Sequence, residues 1–304
     1  MRPDETGDRN HKTARTGLFR IGPRGAPLAA RPGGAVICRL RAGVLLPFSS
    51  AADGWARVLT PCEHEGWIRM GAGRRQRALV MLDPGHGGDE LGAVGPGGMA
   101  EKDLNFDVAR RSARMLRAHG VSPALTRTGD YRATLAFRAA LAARTQAALL
   151  VSIHHNAAPD GPSQEPGTET YYQYRSPDSR RLAGLLYEEI AVALVGFETS
   201  WMANADAGAK WRLNDGGEDY YGILRRCGDL GVTAALVEPA FLSNPEEEVL
   251  LRRGPVRQAE AEATARAILA FLHSDGPGSG YTTPHPRSAP AGPGGGRKGC
   301  IDPS

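Results

Sequence analysis

The sequence predicts an α/β domain with a mostly parallel or mixed sheet flanked by helices, preceded by a small all-β module. Two observations carry this prediction. Between residues 78 and 273, short continuous apolar runs alternate with longer amphipathic segments, as expected when crossover helices bury strands on both faces. Between residues 25 and 74, brief β-type runs follow one another at short spacing, separated by turn residues, as in a small all-β barrel. The chain's 304 residues, 41% hydrophobic and 23% charged, fit one or two globular domains with a real core.

Residues 1–24 are polar and Arg-rich, show no sustained periodicity and read as a disordered leader. Residues 1–20 also lack the apolar h-region of a secretory signal. The β module follows over 25–74, with runs at 35–40, 44–48, 55–59 and 66–68, and a basic connector at 73–77. In the main domain, 78–82 is a continuous apolar strand. The 103–119 helix carries Leu104, Val108, Met115 and Leu116 on its apolar side and stops at Gly120. A strand is expected at 121–126, a helix at 134–146 and a buried strand at 147–153, which ends at His154.

The alternation of Thr, Glu, Thr, Tyr and Tyr within 167–174 predicts an exposed or edge strand. A helix follows from 179 to about 194, then a loop-rich stretch holding Trp201 and Trp211. The last elements are a buried strand at 233–237, ending at Glu238, and a helix at 256–272. Residues 274–304 are rich in Gly, Pro and Ser and read as a disordered tail.

Charge and cysteine usage narrow the partners. The net charge of +4 comes from 37 basic against 33 acidic residues, with no basic cluster interleaved with aromatics, so no nucleic-acid partner is expected. No stretch approaches the ~18 consecutive apolar residues of a membrane span, and a monomer is expected. The four cysteines, Cys38, Cys62, Cys227 and Cys300, form no C-x-x-C pair, which argues against a structural zinc knuckle. Cys38 and Cys62 share the small module and can be read as a disulfide or as two unrelated buried thiols. Cys300, in the tail, reads as a free thiol.

The most informative stretch is Val80-Met81-Leu82-Asp83-Pro84-Gly85-His86-Gly87-Gly88. An apolar strand stops at a Pro-Gly turn that presents a histidine rather than burying it. His154 and Glu238 follow other strand ends, and Glu101 opens the helix after the glycine loop. Ligands of open α/β sheets gather at the carboxyl ends of strands, so the four residues are expected in one pocket. Two histidines and a carboxylate fill three positions of a catalytic zinc site and leave one open, and the fourth residue can act as base.

Each residue also has a plainer reading. His86 alone would be a solvated surface group, and Glu101 a first-turn acid favoured by the helix dipole. Glu238 would pair with Arg225 or Arg226, and His154 would be a core histidine beside a functional His155. Asp83 is either a partner for a ligand imidazole or a turn former, and Asn156 either positions substrate or caps a loop. Four such residues at one rim favour the shared site.

These motifs resemble those of the amidase-3 type of zinc-dependent N-acetylmuramoyl-L-alanine amidases. The resemblance covers residues 78–273 and rests on Asp83-Pro84-Gly85-His86-Gly87-Gly88, Glu101-Lys102 with Asn105, Thr126-Arg127, Ser152-Ile153-His154-His155-Asn156-Ala157, and Val237-Glu238-Pro239-Ala240-Phe241-Leu242-Ser243-Asn244. It implies Zn2+ bound by His86, Glu101 and His154, with Glu238 as the catalytic acid/base. It also implies a peptidoglycan substrate cut between the N-acetylmuramic acid lactyl group and L-alanine, and a location in the cell wall or outside the cell. Substrate-binding residues are not implied.

Pro239-Ala240 departs from the small residue and Gly usual there, and the segment around 198–217 has no counterpart in the pattern. His155 stands where a small or polar residue is usual and is expected as a cleft neighbour. The module resembles a bacterial SH3-like domain through Trp55-Ala56-Arg57-Val58 and Gly66-Trp67-Ile68, implying wall binding by Trp55 and Trp67, at least one of which is expected to pack in the core. Competing readings are a zinc peptidase cutting within the stem peptide and a catalytically silent wall-binding protein.

Overall fold

The computed structural model describes residues 16–158, 167–197, 208–278, 282–284 and 295–304. Its first part is a seven-stranded antiparallel sheet built from β1 (Gly17–Ile21), β2 (Ala26–Ala29), β3 (Val36–Leu40), β4 (Leu45–Ala52), β5 (Trp55–Leu59), β6 (Glu65–Arg69) and β7 (Gly73–Gln76). The spatial order is β3-β2-β6-β5-β4-β1-β7. Two expectations change here. Strand β1 lies in the stretch read as leader, and β7 occupies the supposed connector, with Leu18 to Ile21 registered against Gln76 to Gly73. The arginines of 73–77 hid the strand because they sit on exposed edge positions, where charge is compatible with β structure.

The second part alternates strand and helix: β8 (Val80–Pro84), α1 (Glu101–Ala118), β9 (Pro123–Leu125), α2 (Leu135–Thr145), β10 (Leu149–Ile153) and β11 (Glu169–Tyr172). After these come α3 (Pro177–Val195), β12 (Gly208–Trp211), α4 (Gly222–Asp229), β13 (Ala234–Glu238), α5 (Pro245–Leu251), α6 (Gly254–His273) and β14 (Thr282–Pro284). The sheet order is β14-β12-β11-β13-β10-β8-β9. Every neighbouring pair is parallel except β11 with β13.

The continuous apolar strands are explained by burial on both faces. Val80, Leu82, Leu149, Val151, Ile153, Ala235 and Val237 face a core shared with α1, α3 and α6. The intervening Met81, Leu150, Ala234 and Leu236 face a second core shared with α2 and α4. That second core also contains Leu18, Phe19, Leu45, Phe48 and Ile68 of the antiparallel sheet. The β module is therefore packed against the main domain, with α2 lying against β1 and β4. Trp55 and Trp67 stay half-buried and outside that core, and Arg69 stacks 4.8 Å above the Trp55 ring.

Strand β11 overturns the exposed-edge expectation: it is interior and fully buried. Its polar residues are satisfied within the fold, since Thr170 donates to the Ala183 carbonyl and Lys210 Nζ lies 2.6 Å from Glu169 Oε1. Buried polar groups are stable when so partnered, and local alternation does not reveal partners contributed by other strands. Trp211, expected in a loop, lies on β12. Trp201 lies outside the described residues, as do 1–15, and so does 198–207 within the unmatched segment.

The tail also differs from expectation. Thr282 to Pro284 pair in parallel with Ala209 to Trp211, and Cys300 is joined to Cys62. Cys300, read from the sequence as a free thiol, is thus bonded, whereas Cys38, one possible partner of Cys62, is a free thiol. The pairing spans 238 residues, which spacing alone does not encode.

Candidate active site

The site is built at the carboxyl ends of β8, β10 and β13. In register, Pro84 stands beside Ile153, and Ile153 beside Val237. The next level along the strands holds Gly85, His154 and Glu238, and Glu238 is paired across the antiparallel neighbour with Glu169. Gly85 explains how an imidazole fits there: a Cβ on Gly85 would lie 2.2 Å from His154 Cε1. One residue on, His86 adopts φ 59°, a left-handed conformation uncommon for non-glycine residues and frequent at functional turns.

The glycine loop then folds back so that α1 starts over the same rim. Glu101 N donates to the Ala93 carbonyl, and Ala93 N donates to Glu101 Oε2 at 2.8 Å. Gly92, at φ +71°, passes so close that a Cβ would meet Glu101 Oε2 at 2.4 Å and His86 Cδ2 at 2.6 Å. The loop's far side is held by Glu248, which accepts from Gly97 N and Met99 N.

Glu101 thereby bridges the two histidines. Its Oε2 lies 3.1 Å from His86 Nε2 and its Oε1 lies 3.0 Å from His154 Nδ1. The two rings meet edge to face with centroids 4.9 Å apart. Candidate ligand atoms of the three residues all lie within 4.8 Å of one another. Burial opposes charge on Glu101, yet the adjoining imidazoles hold its carboxyl well below the ordinary range. Burial also opposes charge on His86, but Glu101 raises its pKa, whereas His154 is lowered by burial. Two imidazoles and a carboxylate, already convergent, with Glu101 also held by Ala93 N, His155 N and Asn105 Nδ2, match the donor set of a catalytic zinc site.

A cavity of about 210 Å³ opens beside His86 and His154, lined also by Leu135, Tyr220, Tyr221, Ile223 and Gly295. Larger grooves of about 570 and 840 Å³ lie elsewhere and contain none of the three convergent residues. The smaller cavity is the one next to the chemistry.

A family model for N-acetylmuramoyl-L-alanine amidase matches residues 80–270, most of the chain. The chain belongs to the amidase-3 family. Among relatives, the Bacillus subtilis (strain 168) protein YqiI, itself uncharacterized, is 32% identical over 225 residues, covering 73% of this chain and 96% of that protein. The amidase LytC of the same organism is 33% identical over 194 residues, covering 63% of this chain. The chain spans only 35% of LytC's length.

The amidase AmiC2 of Nostoc punctiforme matches in structure with a TM-score of 0.54 at 31% identity, covering 65% of this chain and 98% of that one. An amidase from Clostridium difficile 630 matches with a TM-score of 0.56 at 30% identity, covering 66% and 99%. LytC and the two structural neighbours are N-acetylmuramoyl-L-alanine amidases, and the amidase-3 chain described here is a peptidoglycan hydrolase of that class.

Within this amidase-3 domain, the other motif residues are bonded inside the fold. His155 is buried: its Nδ1 lies 2.8 Å from Asn105 Oδ1 and its Nε2 3.4 Å from Glu260 Oε2. It is a core histidine rather than a cleft neighbour, because its side chain turns inward under α1 and α6. Its backbone N–H donates to Glu101 Oε1. The Asp83 carboxylate hydrogen-bonds to neither the His86 nor the His154 ring. Arg138 Nη1 donates to its Oδ1 at 2.8 Å, Thr126 to the same oxygen, and Ser152 to its Oδ2 at 2.7 Å.

Arg138 also donates to the carbonyls of Pro84 and His86, so this buried pair fixes the turn that carries His86. Arg127 donates to Pro84, Gly85 and Lys102 carbonyls, and burial beside Arg138 lowers its pKa to about 10. Asn156 donates to Glu169 Oε2. Sequence reasoning missed Glu169 altogether. Buried opposite Glu238, it is bonded by Lys210, Tyr171 and Asn156. An acid in a strand flanked by threonines was the available signal.

Proposed function

We propose that this chain hydrolyses the amide joining the N-acetylmuramic acid lactyl group to L-alanine, using zinc held by His86, Glu101 and His154, with Glu238 as general base and acid. The observation that carries this reading is the convergence of two imidazoles and one carboxylate at the sheet rim, with Glu238 one strand away at the level of His154. Bound zinc would supply Lewis acidity, bringing the pKa of water to ~7 and polarising the scissile carbonyl.

The protein's own groups do the rest. Glu238 accepts a proton as water's oxygen bonds to the carbonyl carbon, then returns that proton to the nitrogen of L-alanine, so that the carbon–nitrogen bond breaks and the amine leaves. Lys210 compensates Glu169, which keeps a second uncompensated charge from crowding Glu238 across the strand pair. Arg138 and Arg127 hold the His86 turn by its carbonyls. The substrate polymer places the chain's action in the cell wall.

Metal removal tests the proposal. A chelator should abolish solubilisation of purified peptidoglycan, and added Zn2+ should restore it. Full turnover by a demonstrably metal-free chain would reject the zinc reading.

A further inference from the structure

We infer that residues 295–304 form a wall of the substrate cleft, fastened by the Cys62–Cys300 disulfide, and that this wall helps set how tightly the muropeptide is held. The inference rests on the amidase reading of the neighbouring site.

One part of the segment is anchored to the β module. Cys300 is bonded to Cys62. Asp302 accepts from Cys62 N at 2.9 Å, and its other oxygen lies 2.7 Å from His64 Nδ1. Arg41 N donates to the Pro303 carbonyl at 3.0 Å. A disulfide, a doubly used carboxylate and a backbone bond therefore hold residues 300–303.

The other part reaches the active site. Gly295 O accepts from Leu135 N at 3.1 Å. Leu135 is the first residue of α2, where a backbone N–H has no partner within its own helix. Gly295 N donates to Glu90 Oε1 at 2.9 Å, and Arg132 Nη2 donates to the Gly296 carbonyl at 2.9 Å. Gly295 lines the same cavity as His86 and His154. Its φ of +79° favours glycine, and a Cβ there would lie 2.4 Å from Leu135 Cγ.

A brace needed only to hold the module would have no reason to extend to the cavity. Here one short segment touches the module, the start of α2, and Glu90 in the loop that follows His86. Without it the cavity would be open on the Leu135 and Glu90 side, and a bound muropeptide would lose that wall.

Thiol titration of the denatured, unreduced chain should find only Cys38 and Cys227 reactive. Cys300→Ser frees the segment covalently, whereas Gly295→Val displaces it with the disulfide intact. Each should raise KM for a soluble muramyl peptide roughly tenfold, the effect of losing one or two well-placed contacts, with kcat and zinc content little changed.

A dithiol delivers two electrons and two protons to the S–S bond, leaving two thiols as it closes to its own disulfide. It should reproduce the Cys300→Ser effect and add nothing to that variant. If Gly295→Val does not fold, Cys300→Ser and the dithiol arm still decide. Four reactive thiols in the unreduced chain, or lowered melting temperatures with unchanged KM, would overturn the wall. An unaltered zinc-loaded chain that neither binds nor cuts the muramyl peptide would instead reject the amidase reading, and the wall with it.

Discussion

Glu238→Gln is expected to lower peptidoglycan hydrolysis by roughly 10²–10⁴-fold, the usual contribution of a positioned acid/base, while zinc content stays at the unaltered level. The separation of the two readouts follows from position. Glu238 ends β13 at the level of His154, but it is not among the three residues whose ligand atoms converge. Glutamine keeps the shape and removes the proton-accepting oxygen. Activity is read from release of soluble muropeptides, and metal from elemental analysis of the same preparation. Full activity in this variant would remove Glu238 from the chemistry, and loss of zinc would make it part of the metal site.

His86→Ala should lose both metal and activity. Removing hydrogen-bond partners behind a metal ligand costs roughly 10–100-fold in affinity, so deleting a ligand itself should exceed that range. His86 also lies on a turn that Arg138 holds through the His86 carbonyl. The alanine variant keeps this backbone contact, so the loss is expected in zinc binding rather than in folding. Calorimetric zinc titration beside a melting curve separates the two. Unaltered zinc affinity would show that His86 is not a ligand.

The convergence of His86, Glu101 and His154 was legible because its signals are local. A strand stopping at Pro84-Gly85, a helix opening at Glu101 and a buried run ending at His154 each place a polar side chain at an element boundary. Strand order then brings those boundaries together. What escaped the sequence depends on partners distant along the chain. His155 looks as available as His154 until Asn105 and Glu260 are seen to enclose it. Glu169 reads as a solvent-facing position in an alternating strand, because its partner Lys210 is 41 residues away.

The same limit applied to β7 and to the segment around Gly295. Arginines in β7 and glycines around Gly295 carry compositions usual in connectors and tails. Pairing with β1 and the bond to Cys62 order them, and neither partner is encoded nearby. Packing of the β module on α2 was equally hidden, since the apolar residues of β1 and β4 serve a shared core as readily as a private one.

The most direct measurement is mass spectrometry of the products that the zinc-loaded chain releases from purified peptidoglycan. The account predicts glycan with free muramic lactyl carboxylates and stem peptides whose new amino terminus is L-alanine. Products with the lactyl–alanine bond intact and new termini inside the stem peptide would contradict it.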